Sequence, residues 1–495
     1  MKSHARMLAT VVSVGIAAGA WAQNQPVGNP GGASEQAIDR FQRQLDQFRA
    51  SSRVKVNEEV PPGTRVFYDY GLFTSFNYLS LDDANLDNRV LRQYDFTGFG
   101  RINLDGVHEV FFRGRGFYRD FNDGDSFDKD VNGWDGRVDR LYYKFDFGRY
   151  LSAKSGQIEN SGASIKIGRD LVYWGTGLTM AWDLDGVVLD FNYNSVSLEL
   201  IAGCTPLDTV DIDSSRRDFD DQTRRFFTGA ILTGQINTHR PYTFVLVQRD
   251  HSPTNSVNEV GGQTIVTDYD YNSVYIGFGS TGALTDRLAY GFEAVYETGD
   301  TLSSPFTIDP GTGALTVVDQ TRDNISAFAF NFSLDYLVGD RRNTRLSGEV
   351  IYATGDSDRI NSTNTFAGNL SGTKDRGFNA FGLLNTGVAL SPSISNLISL
   401  RGGFSTFPFP DTKWARRLQF GADLFLFFKA EENGGFDEPT SDDRYLGFEP
   451  NLYVNWQITS DVSLALRYGV FFPGEAIEAD QEHRQFFFGG LTFAF

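Results

Sequence analysis

The last thirteen residues, His483 to Phe495, read H-R-Q-F-F-F-G-G-L-T-F-A-F. Counted back in twos, Phe493, Leu491, Gly489 and Phe487 share one face. Ala494, Thr492, Gly490, Phe488, Phe486 and Arg484 share the other. Alternation of this length predicts a strand. An apolar strand with a free edge is a template for aggregation. A transmembrane barrel removes the edge, because its last strand pairs with its first and every backbone group finds a partner without water. The other reading is a core strand that happens to end the chain, and the residues upstream decide between the two.

From Arg65 onward the period is two almost throughout. Candidate strands run at 65–79, 94–104, 107–119, 137–147, 163–171, 186–193, 195–203, 225–236, 241–250 and 271–280. They continue at 287–298, 325–338, 344–354, 376–390, 396–406, 415–429, 444–458, 462–472 and 483–495. Most reach the nine to eleven residues, roughly, that a tilted membrane strand needs. Phe328, Phe330, Phe332, Leu334 and Tyr336 make one apolar row; Leu418, Phe420, Ala422, Leu424, Leu426 and Phe428 make another. The alternate positions are polar, small or mixed, the apolar-out, polar-in pattern of a membrane barrel. Short connections such as Asn194-Ser195 and 459–461 alternate with long polar ones such as 204–224, 251–270 and 355–375. The candidates number nineteen, whereas single-chain bacterial barrels are even-numbered. One segment between 376 and 429 is therefore not a separate strand. The expected fold is all-β: a closed antiparallel transmembrane β-barrel of about 18 strands over residues 65–495.

Composition agrees. Aromatics are 14% of the chain, with 52 Gly against 15 Pro. No apolar run reaches the roughly 18 residues of a spanning helix. The formal charge of −19 argues against nucleic acid as a partner. Cys204 is the only cysteine, which excludes an intramolecular disulfide.

Residues 1–22 read as a secretory signal peptide: Lys2 and Arg6, an apolar core from Met7 to Ala20, and an Ala20-Trp21-Ala22 cleavage site. Residues 23–33 are a linker. Residues 34–64 hold a short amphipathic helix and its lead-in, with Ile38, Phe41, Leu45 and Phe48 on one stripe. The helix is expected in the periplasm, with a homo-oligomeric contact through residues 34–51 as one use for its stripe. The barrel itself is expected in the cell outer membrane, with lipid as its surroundings.

Inward positions hold Arg113, Arg115 and Arg119 on one strand, then Arg140, Arg249, Arg345, Arg401, Arg467 and Arg484 on others. Glu109, Asp190, Glu199, Glu293, Glu297, Glu349, Asp423 and Glu449 share the lumen. Opposed charges across a pore discriminate between solutes, and guanidinium forks suit carboxylates and phosphates. Internal pairing that stiffens the wall is the competing use. Residues 128–139, D-K-D-V-N-G-W-D-G-R-V-D, fit a calcium loop in an outer connection, with Asp128, Asp130, Asn132 and Asp139 as side-chain ligands and the Trp134 carbonyl between them. No other cofactor is expected. The histidines show no spacing that suggests a metal or a triad, so the chain does not read as an enzyme.

Gly168-Arg169-Asp170-Leu171-Val172-Tyr173-Trp174-Gly175 resembles the G-R-Q-x-L-x-Y-G stretch of the bacterial alginate-export porin family. Val470-Phe471-Phe472-Pro473-Gly474 before the final strand is similar to that family's close. Asp170 stands where the family often has Gln, and Trp174 intrudes before the glycine. The resemblance implies an 18-stranded outer-membrane barrel whose Arg-lined lumen passes an acidic polysaccharide, and it puts Arg169 on the pathway. The terminal Phe495, with Phe493 and Leu491, is similar to the signal that the barrel-assembly machinery recognises. The expected function is a channel for passive passage of an anionic saccharide or polysaccharide. A porin for other solutes, or a structural envelope barrel without transport, is the alternative.

Overall fold

The structure, a computed structural model, describes residues 66–495 apart from 85, 126–131, 157–160, 253–254, 261–262, 309–313 and 479–481. The signal peptide, linker and amphipathic helix expected over 1–64 lie outside the described residues, as do Arg65, Asp128 and Asp130.

The strands follow in order. The first nine are β1 (Val66–Asp82), β2 (Asn88–Leu104), β3 (His108–Phe121), β4 (Gly133–Asp146), β5 (Ser161–Tyr173), β6 (Ala181–Tyr193), β7 (Val196–Cys204), β8 (Arg225–Gly234) and β9 (His239–Asp250). A small hairpin, β10 (Ser256–Val260) with β11 (Gln263–Thr267), precedes β12 (Tyr271–Thr285) and β13 (Leu288–Leu302). A second hairpin, β14 (Phe306–Ile308) with β15 (Leu315–Val317), precedes β16 (Arg322–Leu337) and β17 (Arg345–Ala353). The last five are β18 (Leu397–Thr406), β19 (Leu418–Phe428), β20 (Tyr445–Gln457), β21 (Val462–Pro473) and β22 (Arg484–Ala494).

Eighteen of these, all but the two hairpins, form one antiparallel sheet. The closing seam pairs β1 with β22, from Phe73 opposite Ala494 to Leu81 opposite Phe486. Beyond it Phe495 N donates to Leu72 O at 2.8 Å. Closure leaves no edge on the apolar strand β22.

The faces separate as the alternation predicts. Leu424 is 48% exposed and Leu452 46%, whereas Phe425, inward on the same strand, is fully buried. Outward rings gather near both ends of the strands. Phe76, Tyr94, Tyr118, Trp134 and Phe96 form a chain with centroids 5.1–6.4 Å apart. At the opposite end Trp414 stands against Trp456 at 5.8 Å. Two aromatic girdles around an apolar band are the pattern of a lipid-facing wall.

Connections at the end holding the N-terminus of β1 are short. Asp105 and Asn194 adopt positive φ (56° and 52°) to make tight turns there. One is replaced by a helix that the sequence reading missed, α1 (Phe147–Ser155). Its N-cap Asp146 accepts from Arg149 N at 2.9 Å, and Gly156, at φ 70°, ends it by donating to Ser152 O.

The expected strand 376–390 does not form. It lies within the 354–396 connection, folded into the barrel. Its alternation is real, but it buries apolar side chains against the inner wall rather than in lipid, and this is why the candidates counted one too many.

Placing a charge on the lipid face tests the assignment of faces. Leu424→Arg is expected to destabilise the barrel by about 2–4 kcal/mol. Gln419→Arg, inward on the same strand, is expected to cost less than about 1 kcal/mol. The urea midpoints of the two variants in lipid vesicles check the contrast.

Candidate functional site

The site is the lumen, and its shape comes from two connections that turn inward. Residues 174–180 and 354–396 meet inside the barrel, where Met180 bridges Phe381 in parallel. Phe378 and Phe381 are 0% and 2% exposed. Phe381 stands edge-on to Trp182 of β6 at 5.2 Å and to Phe227 of β8 at 5.5 Å. Gly382 is needed at this crossing, because a Cβ there would lie 1.9 Å from Leu178 O. Burying two aromatic rings contributes several kcal/mol, enough to hold a connection that carries few regular hydrogen bonds of its own.

Carboxylates on the wall fix the segment's backbone. Glu297 of β13 accepts from Asn379 N at 2.9 Å and from the Tyr271 hydroxyl at 2.6 Å. Glu293 accepts from Thr176 N at 2.6 Å and from the Tyr242 hydroxyl at 2.7 Å. Five strands further round, Glu449 of β20 accepts from Val388, Ala389 and Leu390 N at 2.6, 3.0 and 2.8 Å. Arg359 closes a buried fork on Asp375 within the segment. The inward fold therefore reaches from β6 and β8, past β13, to β20 and narrows the lumen.

The wall from β2 to β5 is different: charged and half-buried, with acids shared between cations. Arg115 pairs with Asp95 at 2.7 Å and Arg101 with Glu109 at 2.5 Å. Asp139 serves two cations, Arg113 at 3.1 Å and Arg137 at 3.0 Å. Asp170 also serves two, Lys166 at 2.7 Å and Arg140 at 3.3 Å. Lys144, beside Lys166 in the register, makes no ion pair among the described residues. Arg119 lies over the Phe117 ring at 4.9 Å. Among the described residues, two of this wall's carboxylates therefore serve two cations each, and Lys144 has no ion pair.

The other inward arginines are bound to the wall. Arg345 pairs with Asp335 at 2.6 Å, Arg401 with Glu349 at 2.9 Å, and Arg484 with Glu438 at 2.6 Å. Arg467 donates to Leu466 O at 2.8 Å and lies over the Tyr453 ring.

Two expected pore residues face the wrong way. Arg169 lies opposite Leu141 and Asp185, and two residues along its strand stands Ile167, 48% exposed. That is the outward face, where Arg169 makes a two-pronged bond to Asp185 with both distances 2.7 Å. Arg249 lies opposite Phe226, itself outward and 38% exposed. Counting in twos from Ile165 and from Val245 would have placed both correctly. The family resemblance overrode the count for Arg169. Sequence reading also missed Arg101, Arg137, Lys144 and Lys166, all set inward by the same period.

Of the expected calcium ligands, Asp128 and Asp130 lie outside the described residues, and residues from Gly133 belong to the extended β4. Asp139 sits in a β-bulge with its oxygens taken by two arginines, and Trp134 is 68% exposed in the outer girdle. Asn132 Oδ1 accepts from Phe121 N at 2.7 Å. Phe493 and Leu491 are outward beside β1, and Phe495 is 79% exposed just past the seam.

Comparison with known proteins gives a family and a fold. Residues 177–489 match the family described as Alginate export. No curated protein matches the chain. Among solved structures, OccAB1 of Acinetobacter baumannii is similar at TM-score 0.53 and 10% identity, over 89% of this chain and 99% of that one. The outer membrane protein OprD from Pseudomonas aeruginosa is similar at TM-score 0.51 and 12% identity, over 88% and 95%. OpdK of Pseudomonas aeruginosa, solved with vanillate, is similar at 0.51 and 10%, over 86% and 98%.

Glu449→Ala removes the shared acceptor of three backbone donors, each bond to a charged group being worth about 1.5–3 kcal/mol. The expected result is faster proteolysis within 385–391 and noisier open-channel current in planar bilayers, with the barrel itself intact by heat-modifiable mobility.

Proposed function

This chain belongs to the alginate export family, and we propose that its barrel is an outer-membrane channel that passes an anionic saccharide. The observation that carries the proposal is the wall from β2 to β5, where Asp139 and Asp170 are each divided between two cations. A carboxylated sugar completes what those shared acids leave undone. It offers each guanidinium a second planar acceptor, and it exchanges one set of charge-assisted bonds for the next as it moves along the wall. Binding must stay weak enough at each step for release. What supports anion preference is the sharing of Asp139 and Asp170 between two cations each, together with Lys144, which makes no ion pair among the described residues.

Neither Arg169 nor Arg249 has a part in this path, since both lie outside the wall. A second reading, a small organic carboxylate rather than a polymer, is favoured by the inward 354–396 segment, which leaves less room for a chain of sugars.

Planar-bilayer recordings test the proposal. Reversal potentials under a salt gradient are expected to show anion preference, and Lys144→Glu to lower the anion-to-cation permeability ratio several-fold. Arg169→Ala is expected to leave conductance and selectivity unchanged. Block by uronate oligomers but not by monomeric carboxylates supports the polymer reading; the reverse supports the small-acid reading. A cation-preferring pore contradicts both, and a silent barrel points to a structural role.

A further inference from the structure

The chain is acidic overall, yet one sector of its short-turn end is basic. The connection between β16 and β17 and the one between β18 and β19 lie side by side there: Phe407 N donates to Arg342 O at 2.9 Å, and Arg341 pairs with Asp411 at 2.7 Å. Around that contact Arg342, Lys413, Arg416 and Arg417 are all exposed, and none makes an ion pair among the described residues. Four unneutralised cations on two adjoining turns gain nothing for folding, because like charges this close repel.

What stands among them is apolar. Trp414 is 65% exposed and Phe409 50% exposed. Trp414 is held edge-on to Trp456 at 5.8 Å, and the Trp456 indole donates to Trp414 O at 3.1 Å. Trp456 is opposite Leu418 and Leu464 in the register, on the lipid-facing side of β19, β20 and β21. The exposed rings therefore continue the barrel's lipid-facing band past the ends of its strands, and the cations flank that continuation. Tryptophan beside lysine and arginine is the composition that settles at the boundary between acyl chains and headgroups.

We propose that this sector, Arg342 with Lys413–Arg417, is a docking site for an anionic phospholipid of the inner leaflet. Short turns of an outer-membrane barrel face the periplasm, which puts the site at the level of that leaflet's headgroups. The headgroup phosphate takes the place of the missing carboxylates among Arg342, Lys413, Arg416 and Arg417. The acyl chains lie along Trp414, Trp456 and the apolar row below them. Continuity with the lipid-facing band is what selects a lipid over a soluble polyanion or a periplasmic protein.

The test is native mass spectrometry of the full chain in detergent, titrated with dioleoylphosphatidylglycerol or dioleoylphosphatidylcholine. The phosphatidylglycerol adduct is expected to form at least about fivefold more tightly, the effect of a single cation beside an anionic lipid surface. The quadruple variant R342Q/K413Q/R416Q/R417Q is expected to lose that preference, and R416Q/R417Q to lose part of it. The pair variant carries the test if the quadruple one does not fold, and heat-modifiable mobility reports folding in both. Equal binding of the two lipids by the native chain overturns the proposal, as does a preference that survives the substitutions. So does a variant that keeps its lipid preference but loses block by uronate oligomers, which would make the sector part of the pore entrance.

Discussion

Every other feature depends on hydrogen bonding without water. A strand in hydrocarbon must pair along both edges, since each unpaired backbone group there costs several kcal/mol. Seventeen pairings between neighbours in sequence leave two edges, and the pairing of β1 with β22 removes them. That single seam gives the apolar strand Arg484–Ala494 its second partner, and Phe495 bonds back to Leu72 just beyond it. It also explains the faces. Once the cylinder is closed, side chains have only lipid or lumen to choose from, and the period of two divides them.

The lumen is then filled unequally. From β5 round to β17 the inner wall is largely apolar above its mouth and is covered by the inward connections through Phe378 and Phe381. From β2 to β5 it is charged and half-buried. Carboxylates play opposite parts on the two sides. Glu293, Glu297 and Glu449 are spent on backbone N–H groups and hold the inward segments still. Asp139 and Asp170 are spread over two cations each and hold Arg113, Arg137, Arg140 and Lys166 in place. Immobilised donors need no reorganisation when an anion arrives, which is what a selective but rapid pathway requires.

Much of the barrel was legible because one rule, alternation, repeats along it. Closure and the outward rows of β16 and β19 follow from that rule, and the even strand number of single-chain barrels reduces its nineteen candidates to eighteen. The exceptions each have a physical cause. Residues 376–390 alternate as a strand does, but periodicity cannot tell lipid from a buried inner wall as the partner of an apolar face. Arg169 was read from a motif and not from its parity with Ile165 and Ile167, which lie outward. The calcium loop matched in composition, but β4 begins at Gly133 and its bulge turns Asp139 toward Arg113 and Arg137. Which acid is shared and which is spent depends on contacts between distant strands and connections, and no local pattern encodes that. The helix Phe147–Ser155 was hidden because its sequence continues the preceding strand's apolar face through Phe147.

The central claim is that residues 66–495 form a closed cylinder with lipid outside and water within. Nitroxide scanning of residues 418–428 in vesicles, with Cys204 replaced by serine, measures this directly through collisions with oxygen and with a water-soluble nickel complex. The account predicts a strict period of two: Leu418, Phe420, Ala422, Leu424, Leu426 and Phe428 favour oxygen, and the residues between them do not. A scan with no period, or one in which the even positions are shielded from lipid as in a second packed layer, contradicts it.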